Sequence, residues 1–348
     1  MKRILFLFLL LAVLIGCQKK SSLSTKGFEK VSDRVEYRLS NEAFILRSGA
    51  KEITFNKSEL PLEKVVVLNA SLFGYFNELG LNDRIVGVSS PEYIFSSDIQ
   101  RRIKQGFIHS VGSEQKYDLE KIMALKPDAI FTNYISTFDN TYALLQKSGI
   151  KIIFLDEYLE QAPLDKSRYL KVFGQLFHQE ERAEKLYNEI EKNYNELKKL
   201  TANLKNRPLV ITNELYGNQW YMPGGNSQFA RLMKDAGAKY LLQDDPSNAA
   251  VPLSLEQVTV QSQEATFWLN AGNHQTRSQL VAFNPSYRNL AVFQKGEIYS
   301  IAGSVKGKAN DYFESGVVRS DFLLQDYLSI LHPELVKGDS LRYFKRLD

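Results

Sequence analysis

The chain has 348 residues, with 44 Lys and Arg against 40 Asp and Glu and a formal net charge of +4. So balanced a charge leaves no electrostatic footprint for nucleic acid, and the length exceeds what one hydrophobic core usually serves, so two domains are expected. Its single cysteine excludes an intrachain disulfide and a cysteine-rich metal site.

The sequence opens Met1-Lys2-Arg3, runs apolar from Ile4 to Ile15 and reaches Gly16-Cys17. A basic start, a short apolar stretch and a small residue before a cut form the layout of a secretory signal. The run is shorter than the ~20 apolar residues that a membrane-spanning helix needs. Residues 1–16 are therefore expected to be an export signal. Leu14-Ile15-Gly16-Cys17 resembles the bacterial lipobox, which implies that Cys17 becomes the first mature residue and carries the acyl chains. Residues 17–60 are then a lipidated tether and lead-in, polar from Gln18 to about Thr25, and the fold proper begins after them.

Strand-length apolar runs follow at Val65 to Leu68, Ile85 to Val88, Ala129 to Thr132 and Ile152 to Leu155, and resume at Leu209 to Thr212, Thr266 to Leu269 and Ile298 to Ile301. Short buried strands alternating with helices indicate mainly parallel sheets wrapped by helices, an α/β architecture. The two groups define an N-terminal lobe over 61–162 and a C-terminal lobe over 206–348. Between them, a helical linker over 163–205 contains the clearest helix, predicted from Glu180 to Leu204. Ala183, Leu186, Tyr187, Ile190, Tyr194 and Leu197 keep one face of it apolar, and no Gly or Pro interrupts it.

Asp118-Leu119-Glu120-Lys121-Ile122 before Asp128-Ala129-Ile130-Phe131 is echoed by Ser254-Leu255-Glu256-Gln257-Val258 before Glu264-Ala265-Thr266-Phe267. The spacing matches in both halves, so an internal pseudo-repeat is inferred. Each copy starts a helix with a good N-cap and a Glu in the first turn, where a carboxylate stabilises the helix dipole by roughly 0.3–1 kcal/mol without any partner. Glu120 and Glu256 are equally a matched pair of exposed anions, one per lobe, placed to engage basic residues of a two-fold transporter.

Ligands of α/β sheets bind beyond the carboxyl ends of strands, which selects Asn69, Ser71, Tyr93, Asn133, Tyr134 and Asn270. Trp220 and Tyr221 are expected on a polar, Gly-rich loop and not on a periodic apolar face, and are candidate ligand contacts. Arg277, Arg288 and Arg319 could supply charge for an anionic ligand. Together these residues suggest a broad aromatic cleft for a bulky, partly polar molecule.

Enzyme signatures are missing. Gly303-Ser304-Val305-Lys306-Gly307-Lys308-Ala309 lacks one residue of the phosphate-loop spacing and has Ala where Ser or Thr must hold the metal, so it is expected to be a mobile Gly/Lys loop. No catalytic, metal-binding or dinucleotide motif stands elsewhere. His109, His178, His274 and His332 lie far apart in sequence. No cofactor and no resident metal are expected.

Arg84-Ile85-Val86-Gly87-Val88, Val111-Gly112, Ala124-Leu125-Lys126-Pro127-Asp128-Ala129-Ile130, Tyr221-Met222-Pro223-Gly224-Gly225-Asn226-Ser227, Glu314-Ser315-Gly316 and Leu331-His332-Pro333 together resemble the siderophore and vitamin B12 periplasmic-binding proteins of ABC importers. The most distinctive part is Leu-Glu-x-Ile followed by Leu-Lys-Pro-Asp. The resemblance implies two Rossmann-like lobes joined by one long rigid helix, a ligand held between them, and Glu120 and Glu256 docking on arginines of the permease. It departs from the family at Asn69-Ala70-Ser71 and at Asn270-Ala271-Gly272-Asn273-His274, which line the cleft and so bear on ligand identity. The expected ligand is a metal-bearing organic complex, a ferric siderophore before cobalamin or haem. Expected partners are the ABC permease and its ATPase, with the membrane reached only through the lipid and the protein itself a monomer of the cell envelope. Readings from other classes are an envelope hydrolase and a scaffolding lipoprotein.

Overall fold

The computed structural model describes residues 27–336 and 340–348, so the export signal read at 1–16, Cys17 and the polar stretch after it lie outside the described residues. Two five-stranded sheets dominate. In the N-terminal lobe the strands run side by side as Lys151–Phe154, Ala129–Thr132, Val65–Val67, Ile85–Val88 and His109–Ser110, all parallel. In the C-terminal lobe the order is Lys239–Tyr240, Leu209–Thr212, Phe267–Leu269, Glu297–Ser300 and Lys345–Arg346, parallel except for the last pair. Val65, Val66 and Val67 are fully buried, as strands covered by helices on both faces must be.

In each sheet the strand order reverses once, at what doubly wound folds use as a binding crevice. The reversal falls between Val65–Val67 and Ala129–Thr132 in the first lobe, and between Leu209–Thr212 and Phe267–Leu269 in the second.

Between the two sheets the chain forms three helices, Pro163–Arg168, Leu170–Phe177 and Glu180–Leu200. The third is 21 residues, roughly 31 Å at the α-helical rise. Ala183, Tyr187 and Ile190 belong to the first lobe's core and Tyr194 to the second's, so one apolar stripe stitches both cores to a single rod. The helix stops four residues before the predicted Leu204. Thr201 Oγ1 donates to the carbonyls of Lys198 and Asp235, so the turn is closed against the second lobe before the apolar periodicity runs out.

Two expectations fail. Residues 29–56, read as a lead-in, form a four-stranded antiparallel meander, Glu29–Lys30, Val35–Leu39, Ala43–Ser48 and Lys51–Asn56. Val35, Tyr37, Phe44, Leu46 and Phe55 point inward and join the core that holds Val65, Phe131 and Phe173. Its last hairpin turns through Gly49-Ala50, where Gly49 has φ of 55°, a sign that most side chains resist.

The Gly/Lys loop is likewise ordered, as the hairpin Val305–Lys306 with Ala309–Asn310 closed by Gly307 at φ of 62°. It reaches the opposite lobe. Lys306 Nζ donates to Ser97 Oγ at 2.8 Å and lies over the Phe95 ring, while Lys308 stands over Tyr93.

Candidate functional site

Four asparagines occupy the two reversal points. Asn69 follows the Val65–Val67 strand and Asn133 follows Ala129–Thr132; Asn213 and Asn270 hold the matching positions in the second lobe. Asn69 Oδ1 accepts from the Asn133 backbone N–H and from Thr132 Oγ1, both at 2.8 Å. This bond ties the mouths of the two diverging strands together. Asn213 and Asn270 have φ of 64° and 53°, the left-handed region that Asn tolerates better than most residues. Asn213 Nδ2 donates to the Tyr221 carbonyl at 2.8 Å, and Asn270 Oδ1 accepts from Tyr327 Oη at 3.0 Å.

Below Asn133 lies a buried carboxylate. Asn133 Nδ2 donates to Glu157 Oε2 at 2.9 Å and to the Leu155 carbonyl, and the Ser71 hydroxyl also bonds Glu157. Burial pushes the Glu157 pKa up, with Lys166 pulling the other way. Tyr134 is half-buried, its N–H bonded to Asp156 at 2.7 Å and its hydroxyl to Asp139 at 3.0 Å. Tyr93 is 43% exposed beneath Lys308, and Tyr221 is 43% exposed on the facing lobe.

A cavity of about 450 Å³ opens at one end of this crevice, with Arg34 and Tyr158 to Gln161 on one side and Asn213, Tyr221 and Ser227 to Phe229 on the other. That volume falls within the roughly 300–1,000 Å³ typical of small-molecule sites. The lining mixes amides, aromatic rings, the Glu160 carboxyl and one guanidinium. Arg231 of the second lobe donates to Gln161 Oε1 of the first at 3.3 Å. A separate cavity of about 270 Å³ lies between the meander and the first lobe, away from the strand mouths of the second.

Three predicted contacts are corrected. Trp220 is fully buried on the strand Gln219–Pro223, between Leu215 and Leu253 of its neighbours, with Nε1 donating to the Thr212 carbonyl and its ring against Trp268 and Tyr287. Strand alternation sends Trp220 inward and Tyr221 outward. Arg319 is 7% exposed and forks onto Asp321 at 2.9 and 2.8 Å, with Glu78 and Glu189 within 4 Å. Arg277 donates to the carbonyls of Leu347, Phe293 and Gly296. Both arginines are spent on the fold, because a buried guanidinium must have its donors satisfied. Arg288 is exposed on the turn Pro285–Asn289.

The histidines stay apart. His109 is exposed, His178 caps a helix, and His332 lies against the Gly237 carbonyl. His274 Nε2 is 2.7 Å from Glu214 Oε2. Among the described residues no group of three or more His, Cys, Asp or Glu is disposed to hold a metal ion, and no helix is long and apolar enough to cross a membrane.

Glu120 and Glu256 are exposed in the first turns of Leu119–Leu125 and Leu255–Gln261, whose N-caps Asp118 and Ser254 accept from the N–H groups of Lys121 and Gln257. Sequence reasoning missed Arg34, Glu157 and Gln161. The last two follow a strand end, a signal that was available; Arg34 follows from nothing but the unforeseen meander.

A family model described as periplasmic binding protein matches residues 65–304. An uncharacterized lipoprotein of Methanocaldococcus jannaschii, MJ0878, is 24% identical over 322 residues, 89% of this chain and 75% of its own length. A periplasmic haem-binding protein of Pseudomonas aeruginosa superposes with a TM-score of 0.61 at 18% identity, covering 82% of this chain and 98% of its own. The siderophore-binding protein FhuD of Vibrio cholerae, solved with ferric Desferal, gives 0.54 at 19% identity over 77% of this chain and 99% of its own.

Proposed function

This chain belongs to the periplasmic binding protein family, and from that premise we propose that it captures a ferric siderophore between its lobes and delivers it to an ABC permease. Membership makes it a solute-binding transport protein and not an enzyme, which sets aside the hydrolase. The ligand is the new claim. It rests on a sheet-reversal point in each lobe, with Asn69, Ser71 and Tyr134 at the first and Asn213, Tyr221 and Asn270 at the second, and on the polar, aromatic-edged cavity where Asn213 and Tyr221 meet Arg34 and Tyr158 to Gln161. Amides and hydroxyls suit the oxygen-rich surface of a wrapped ferric ion, and exposed rings suit its organic arms. Binding performs no bond chemistry; the ligand contacts both lobes and shifts the population toward their closed arrangement.

Titration of the soluble part, without residues 1–17, against ferric siderophores, haem and cobalamin tests the reading. Trp220 and Trp268 donate to the carbonyls of Thr212 and Asn213, directly behind the crevice, so their fluorescence should fall as a ferric siderophore binds. A response to none of the three ligands defeats the ligand class. One observation favours haem as a second reading. Glu214 holds the His274 imidazole by one nitrogen, the arrangement that orients a metal-ligating histidine. A Soret shift on haem addition, lost in His274→Ala, would select it.

Lipid anchoring at Cys17 is part of the proposal, supported by the lipobox-like Leu14-Ile15-Gly16-Cys17 and by a relative that is named a lipoprotein. Cys17→Ser should move the protein from the membrane fraction to the soluble fraction of cells. Persistent membrane association in that variant would contradict the anchor.

A further inference from the structure

We infer that Arg34, carried by the N-terminal meander and not by either lobe, contacts the ligand and selects chelates that present oxyanions, carboxylate or catecholate, at the cleft mouth. This rests on the ligand reading above and deepens it. Residues 29–56 precede the stretch 65–304 that the family model matches, so the contact comes from outside that stretch.

The turn that carries Arg34 is fixed on every side. Val31 and Val35 flank it, each about 1% exposed, in the first lobe's core. Ser32 Oγ accepts from the N–H groups of Arg34 and Val35 and donates to Glu160 Oε1. The Arg34 carbonyl accepts from Gly49 N–H at 2.8 Å, and Arg168 donates to the Val31 carbonyl at 3.1 Å. The backbone beneath the side chain is thus anchored to the segment that joins the lobes, so ligand contact there costs little ordering entropy.

The guanidinium itself is uncommitted. Arg34 lines the 450 Å³ cavity opposite Tyr221 and Asn213; a guanidinium nitrogen lies beside Gly49, and among the described residues the group makes no hydrogen bond and no ion pair. Arg47, Arg84, Arg168 and Arg319, by contrast, each pair with carboxylates. Asp156 and Glu160 are near enough to interact electrostatically with Arg34, yet neither lies within ion-pair distance. Glu160 Oε1 is taken by Ser32 and Tyr169, Asp156 accepts from Tyr134 N–H, and burial disfavours the charged form of both. A planar fork of donors with no internal acceptor, at the mouth of a cleft, matches paired oxygens in one plane.

The test measures affinities of the full chain in detergent micelles for two probes, a negatively charged ferric tris-catecholate and positively charged ferrioxamine B. Arg34→Ala should weaken the tris-catecholate by about tenfold or more, the value of a lost charged hydrogen bond, and leave ferrioxamine within about twofold. Arg34→Lys should fall between, keeping the charge and losing the fork. Unchanged tris-catecholate affinity in Arg34→Ala, equal loss for both probes, or wild-type protein that takes only ferrioxamine overturns the selection while the siderophore reading stands. Wild-type protein that binds neither probe overturns both.

Discussion

Exchanging Glu120 and Glu256 for arginine together should abolish iron uptake by cells while leaving the purified protein's affinity for its ligand unchanged. The two residues are exposed, and each sits one residue into a helix whose N-cap side chain is already bonded to the backbone. Neither belongs to a buried core cluster, so the fold does not need them for packing. Reversal sets a cation against the positive end of each helix, at a cost of about 0.3–1 kcal/mol, which a domain of ordinary stability survives. At a docking surface the arithmetic differs. Facing a permease arginine, each reversal turns an attraction into a like-charge contact that costs several kcal/mol, and two such losses remove the complex at cellular concentrations. Single reversals should therefore reduce uptake and the double reversal eliminate it. Uptake of labelled iron at wild-type rate in the double variant would remove these two residues from the docking surface.

The capped helix starts that carry the two acids were legible in the sequence because their signal is local. An N-cap, a first-turn acid and a short buried strand lie within about a dozen residues, and they fold as they read in both halves, with Asp118 accepting from Lys121 and Ser254 from Gln257. The bridging helix was legible for the same reason, as one apolar face without Gly or Pro. What escaped depended on partners distant in sequence. The meander carried its own evidence, with Val35 and Tyr37, then Phe44 and Leu46, alternating along two strands around the turn residue Gly49. It was passed over because its inward side chains find a core built mostly from residues after Val65. Trp220 was misplaced by its polar surroundings in sequence; only pairing with Leu215 and Leu253 reveals a strand that turns it inward. Arg319 shows the same limit. Asp321, onto which it forks, stands two residues on, but its other partners Glu78 and Glu189 lie far away in sequence, and no pattern near Arg319 announces them.

The contact between the lobes should be sensitive to pH through Glu314. This residue of the second lobe is 2% exposed and its carboxylate reaches into the first lobe, accepting from the N–H groups of Phe95 and Ser96 at 2.7 and 3.1 Å and from Asn77 Nδ2 at 2.6 Å. The backbones are equally close: a side chain on Gly74 would meet the Glu314 carbonyl at 2.4 Å. Burial raises the Glu314 pKa to about 7, with Asp311 adding to the rise and the three donors opposing it. A carboxyl held above its ordinary value binds its proton more tightly folded than unfolded. Its stabilisation is therefore complete below the usual carboxylate range, near 4.5, and is lost as pH rises to about 7. The melting temperature should fall across that window and level off above it. Glu314→Gln, which imitates the protonated form, should remove this step and melt near the wild-type value at pH 5. Glu314→Ala leaves three donors without their acceptor, at roughly 1–3 kcal/mol for each that stays dry. A loss of about 3 kcal/mol, or roughly 5–10 °C in melting temperature, should follow at pH 5 and shrink as pH rises toward 7, where the wild type gives up its own stabilisation. If the alanine variant melts with the wild type at pH 5, or the glutamine variant keeps the pH step, the carboxyl is not what fastens the lobes.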